Sequence, residues 1–109
     1  MALELISRGA ILISDDQTIL ADTDHGLRAS CPKPLQGLIE ARGVGVLKAN
    51  HQASAIVRLV VDLETEEPDR LPPEREINFL GHRIPLLHTP CYPHFPAAVL
   101  QYMRGGRSA

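Results

Sequence analysis

The chain has no tryptophan, two tyrosines, two phenylalanines and two cysteines among 109 residues. Aromatics make up 4% of it, so a core has to be assembled mainly from Leu, Ile, Val and Ala, which belong to the 44% of hydrophobic residues. Cys31 and Cys91 lack a C-x-x-C spacing and are too few for a disulfide framework, which points to reduced thiols. No apolar run approaches the roughly 20 residues that span a bilayer, and the N-terminus shows neither the basic flank nor the cleavage site of a signal peptide. Membrane partners are disfavoured and the cytoplasm is the expected compartment. No run of Lys and Arg appears, and a formal net charge of −2 exerts no pull on nucleic acid. The five histidines, His25, His51, His82, His88 and His94, show no HxH or HExxH spacing, which argues against zinc. With no Gly-x-Ser-x-Gly elbow, a serine-hydrolase reading lacks its nucleophile.

The length suits one domain over residues 1–109, because folding a chain of this size buries roughly 60–65% of its unfolded surface. Met1 to Arg8 reads as the end of an amphipathic helix, with Ala2, Leu5 and Ile6 at i, i+3 and i+4, stopped by Gly9. Ala10–Ile13 is a continuous apolar run and predicts a strand buried on both faces. Thr18–Ala21 and Leu27–Ala29 flank the turn-rich Asp22–Gly26 like a hairpin. Two prolines in "CPKPLQGLIEARG" precede a short apolar segment, Leu35–Ile39, and Val44–Leu47 predicts a further strand. "AIVRLVVDL", Ala55–Leu63, is rich in β-branched residues and is expected to form a central strand. Glu64–Glu76 is acidic and aperiodic, suggesting an exposed loop. Ile77–Leu80 and Arg83–Leu87 suggest a second hairpin. Pro90, Pro93 and Pro96 stiffen the approach to a last helix at Ala97–Met103.

Three segments carry residue types suited to chemistry. Asp15-Asp16 follows the first predicted strand, and ligands of α/β sheets collect beyond the carboxyl ends of strands. An acidic pair there can hold a metal or move a proton, although Asp pairs also suit a plain turn. In "IEARGVGVL", Glu40 and Arg42 would share a face of an extended backbone, while Gly43 and Gly45 permit close backbone approach or positive φ. The same residues also suit a surface turn. In "PDRLP", Arg70 lies in a polar stretch where it is either solvated or set to grip phosphate oxygens with its planar guanidinium.

Taken in order, these segments resemble one family, the C-terminal catalytic domain of HPr kinase/phosphorylase in its short, single-domain form. "ELISRGAILISDD" resembles the family's helix, Arg-Gly and strand ending in Ala-Asp-Asp. "LIEARGVGVL" resembles its Glu-Ile-Arg-Gly-Leu-Gly-Ile-Ile, which is the most specific of the motifs. "DRLP" resembles Asp-Arg-Leu-Gly, and "FLGHRIPLLHTP" the Leu-Gly-x-x-Ile-Pro hairpin. The resemblance implies an α/β fold, a mixed sheet with flanking helices in a P-loop-type kinase domain. It also implies ATP- and Mg²⁺-dependent phosphorylation of a serine on the phosphotransfer carrier HPr, in regulation of carbohydrate metabolism. By that likeness Asp16 is the general base, Glu40 helps to hold Mg²⁺ and Arg70 stabilises charge on the transferring phosphoryl group. The chain would work as a homo-oligomer, a hexamer in the family.

Two departures shape the expectation. The family's first helix begins at a Walker A loop, Gly-x-x-x-x-Gly-Lys-[Ser/Thr], whose backbone N–H groups cradle phosphates; no such segment occurs in these residues, and the first strand is absent with it. The expectation is therefore that Met1 is an internal methionine of a longer reading frame, or that the chain is a fragment, and that it is inactive as a kinase if Met1 is the true start. An upstream frame encoding no strand and no GxxxxGK[ST] within roughly 40 codons contradicts it. The alternative is a non-catalytic kinase remnant that binds a protein or mediates oligomerisation. Second, "PCYPHFPAAVL" stands where the bifunctional family has Pro-Val-Arg-Pro-Gly-Arg-Asn, with Tyr92 and Phe95 in place of arginines. That basic segment is linked in the family with phosphorolysis, so the resemblance implies weak attack of inorganic phosphate on phosphoserine here.

Overall fold

A computed structural model describes residues 1–109. The chain forms two compact units, Met1–Val57 and Arg58–Ala109.

The first unit opens with α1 (Ala2–Ser7), ended by Gly9 at φ 102, as the sequence suggests. The strand expected at Ala10–Ile13 does not form. Only Leu12 finds a partner, a single parallel bridge to His51 made by Leu12 N–H to Asn50 O and Gln52 N–H to Leu12 O. Leu12 is buried but Ile11 is 57% exposed, so the run is not covered on both faces. An apolar run becomes a strand only where a ladder partner runs beside it along its length.

The hairpin prediction holds. β1 (Ile19–Thr23) and β2 (Gly26–Ser30) pair antiparallel, and β5 (Ser54–Ile56) closes the far side of β2 in a three-stranded sheet, β1-β2-β5. Leu27, on the central strand, is the most deeply buried side chain at 1% exposure. β3 (Leu38–Ala41) and β4 (Gly45–Lys48) form a separate antiparallel ribbon. Its turn is closed by Val44 N–H to Ala41 O at 2.9 Å, with Gly43 at φ 86 in the position where a type II turn needs a positive φ.

Ala55–Leu63 is not one central strand. It breaks after Ile56 into β5 and β6 (Val60–Glu66), which serve different sheets in different units and lie at the edge of each. Val57 still donates to Leu27 O, after which the ladder stops. β-Branched composition favours extended backbone but does not choose the partner.

In the second unit β6 runs parallel to β8 (His82–Thr89), and β7 (Glu76–Phe79) runs antiparallel to it, giving a mixed sheet of order β6-β8-β7. The β7–β8 turn places Leu80 at φ 52 and Gly81 at φ 86, the two positive values of a type I′ hairpin. The stretch expected as an exposed loop, Glu64–Glu76, is partly strand: β6 continues to Glu66, which pairs with Thr89 across a bulge. Its acidic edge discourages pairing with foreign strands. α2 (Phe95–Gly105) begins two residues before the predicted helix, with Pro96 in its first turn and Phe95, Pro96 and Val99 buried.

Candidate active site

Strand alternation builds the first site. Ile39 and Ala41 are buried, so Leu38 and Glu40 fall on the opposite face of β3. Register places Glu40 across from Val46 on β4. These side chains line a cavity of about 420 Å³ together with Leu35, Asp15 and Asp16. The Glu40 N–H donates to Asp15 Oδ2 at 2.9 Å, pinning the bend of Asp15-Asp16 to the ribbon. The two aspartates thus border one cavity in different states. Asp15 holds the backbone, while Asp16 is exposed with no protein donor on its carboxylate.

The sequence singled out Asp16 and Glu40, and the fold brings them to one cavity. It could not assign Asp15 its hydrogen bond, because that contact joins positions 25 residues apart. Arg42 does not share an extended face with Glu40: the strand ends at Ala41 and Arg42 opens the turn. Gly43 and Gly45 adopt φ 86 and 138, and a Cβ on either would meet open space, so conformation and not close packing calls for glycine there.

No group of three or more His, Cys, Asp or Glu side chains is gathered to hold a metal. Mg²⁺ needs no such cage, since it is commonly held by one or two carboxylates together with substrate phosphates and water. The hard oxygen donor of Glu40, on the cavity wall, fits that manner of binding.

Arg70 belongs to the second unit. It is exposed and lines a cavity of about 290 Å³ with His88, Tyr92, His94 and Phe95 among its walls. Tyr92 and His94 stack, with ring centroids 5.3 Å apart and planes 10° from parallel. Glu67, absent from the residues picked out of the sequence, is the one buried charged group; its carboxylate pairs with Arg75 and accepts the Asp69 N–H at 3.3 Å. No motif flags that pair, since its partners are eight residues apart in an aperiodic stretch. Both cysteines are free. Cys91 Sγ lies 3.1 Å from Glu66 Oε1, and that hydrogen bond and charge push the thiol pKa up, disfavouring thiolate.

Two carboxylates of this unit give it a pH dependence. Asp62 accepts from Thr65 Oγ1 at 2.7 Å and from the Glu64 N–H at 2.9 Å, which hold it below its ordinary 3.8. For Glu67, burial pushes upward, but the Arg75 hydrogen bond and the Asp69 N–H outweigh it and leave the group below 4.5. Both pKa values are depressed by folding, so both contributions are complete above the unfolded values and vanish as pH falls through the folded ones. Melting temperature is expected to hold between pH 7 and about 5 and to decline below about pH 4. Asp62→Asn should lower it at neutral pH and converge with the parent in acid, as circular dichroism melts at several pH values will report.

The architecture is a mixed α/β fold, and a cavity of its first unit is bordered by three carboxylates, Asp15, Asp16 and Glu40. A model of the HPr serine kinase C-terminal domain matches residues 1–100, and the chain belongs to that family. It is 32% identical to the HPr kinase/phosphorylase of Brevibacillus brevis over 91% of this chain and 36% of that protein. Against the HPr kinase/phosphorylase of Clostridium beijerinckii the identity is 34%, over 91% of this chain and 37% of that one. The chain thus spans little more than a third of the length of these two relatives. Among solved structures, the Hpr(Ser) kinase/phosphatase from Coxiella burnetii superposes with a TM-score of 0.79 at 25% identity, covering 94% of this chain and 72% of that one. No helix is long and apolar enough to cross a membrane.

Proposed function

We propose that this domain carries the acceptor-side chemistry of an HPr-type serine kinase, which transfers the γ-phosphoryl group of ATP to a serine of HPr in the cytoplasm. The observation that carries the reading is the single cavity bordered by Asp16, free of protein donors, and by Glu40, whose backbone is fixed by Asp15. Phosphoryl transfer asks a protein mainly for positioning and neutralisation, with a base in reach of the attacking hydroxyl. Asp16 accepts the serine proton in the forward direction and returns it in reverse. Glu40 offers a carboxylate oxygen to Mg²⁺, which when bound would neutralise phosphate oxygens. Arg70 supplies the cation for charge on the phosphoryl group, an assignment that rests on the family likeness. These 109 residues contain no Gly-x-x-x-x-Gly-Lys-[Ser/Thr] cradle, so no nucleotide contact is assigned to them.

The test is serine phosphorylation of HPr with ATP and Mg²⁺, using the protein expressed from its complete reading frame beside the chain as written. Phosphoserine on HPr from the former supports the reading. Failure of both to modify HPr, with HPr still captured, favours the protein-binding remnant; modification of another protein in preference to HPr moves the acceptor but keeps the chemistry. The homo-oligomer, a hexamer in the family, is carried as part of the same proposal and is read by light scattering.

A further inference from the structure

The segment bearing Arg70 is anchored along its length. At one end the Glu67 N–H donates to Thr89 O at 3.0 Å; at the other, Leu86 N–H donates to Arg75 O at 2.8 Å, so both ends are tied to β8 and its flank. Between them Arg107 Nη2, from the tail beyond α2, donates to Pro72 O at 2.8 Å. The Glu67 carboxylate then joins the ends by pairing with Arg75 and accepts the N–H of Asp69, the residue immediately before Arg70. The Glu67 side chain is 4% exposed and that of Arg75 26%, whereas Arg70 is exposed at the cavity wall.

We propose that the Glu67–Arg75 ion pair is a positioning device for Arg70, holding its loop in one geometry and keeping its guanidinium free for an anionic substrate group. The inference rests on the phosphoryl-transfer reading for the role of Arg70, but the clamp itself stands on the contacts above. A buried ion pair adds little net stability compared with a well-packed apolar pair, whereas loss of one partner strands the other. Its effect here is geometric and electrostatic. Glu67 borders the same cavity as Arg70. Its carboxylate is committed within the loop, to Arg75 and to the Asp69 N–H. Arg75 is the suited partner because its planar fork fixes direction as well as charge.

The test has two arms, each run on protein whose circular dichroism matches the parent. In the first, trypsin cleavage at Arg70-Leu71 is followed by mass spectrometry, with cleavage at Arg58-Leu59 as internal reference. Cleavage tracks the population of the opened loop, and Glu67→Gln is expected to raise it at Arg70 by roughly tenfold. An unchanged ratio overturns the clamp. In the second, phosphorylation of HPr is measured for Glu67→Gln, Arg70→Ala and the double variant of the full reading frame. A mispositioned cation is expected to lower kcat by roughly ten- to a hundredfold with KM little changed. The same substitution in the Arg70→Ala background should cost less than about twofold, since Glu67 acts through Arg70. Equal losses in both backgrounds identify a general structural role and overturn the proposal. Should Glu67→Gln not fold, Arg75→Lys replaces it, with charge kept, the fork lost and smaller changes of the same sign expected. A parent protein inactive on HPr refutes the phosphotransfer reading and the catalytic role of Arg70, while the trypsin arm still decides the clamp.

Discussion

Asp16→Asn is expected to lower serine phosphorylation of HPr by roughly 10²–10⁴-fold, the contribution of a positioned general base. Asparagine keeps the size of the side chain and can still orient a hydroxyl, but it cannot take the proton. The neighbouring position supplies the control. Asp15→Asn keeps an oxygen able to accept the Glu40 N–H, so it should weaken the attachment of the bend without removing a base. Asp15→Ala removes the acceptor and is expected to cost more than Asp15→Asn. The assay is phosphoserine on HPr, resolved by mass spectrometry over a range of pH, with the protein from its complete reading frame. Equal rates for Asp16→Asn and the parent would show that the base lies elsewhere, and a larger loss at Asp15 would move the role by one residue.

Leu27→Ala is expected to cost about 2–5 kcal/mol of stability, the range for emptying a buried leucine site. The position is chosen by burial: at 1% exposure on the central strand of the β1-β2-β5 sheet, Leu27 has the least accessible side chain of the chain. The backbone around it is fixed by ladders on both sides and by the Val57 N–H to its carbonyl, which restricts collapse into the space left. The removed methyl groups thus cost both their transfer energy and a cavity. Leu63, 58% exposed, is the comparison, and its change to Ala should stay within about 0.5 kcal/mol. Urea unfolding followed by circular dichroism measures both; a Leu27→Ala loss below about 1 kcal/mol would mean that the site refills by rearrangement.

Much of the local structure was legible because local chemistry decides it. The first helix and its glycine stop, the turn between β1 and β2, the β7–β8 hairpin and the proline-started last helix follow from residues within a few positions of one another. The misreadings share a different cause. Ala10–Ile13 and Ala55–Leu63 have the composition of strands, yet strands exist by partnership; the first found a bridge for one residue, and the second was divided between two sheets. Glu64–Glu76 looked featureless because the contacts that order it, Glu67 with Arg75, Glu66 with Thr89 and Pro72 with Arg107, leave no periodic trace.

The site divides in the same way. Which residue types could do phosphoryl-transfer chemistry was set by the sequence alone: a pair of aspartates, a glutamate before a glycine turn and an arginine in "PDRLP", together with the family to which that pattern belongs. The tertiary structure decided which members of the set share a space and in what state. It brought Asp16 and Glu40 to one cavity, committed Asp15 to a backbone amide, put Arg42 in a turn and tethered the segment of Arg70 through a buried ion pair. The reason is physical. A side chain's chemistry is its own, but its hydrogen-bond partners, exposure and charge neighbours come from residues that only folding brings close.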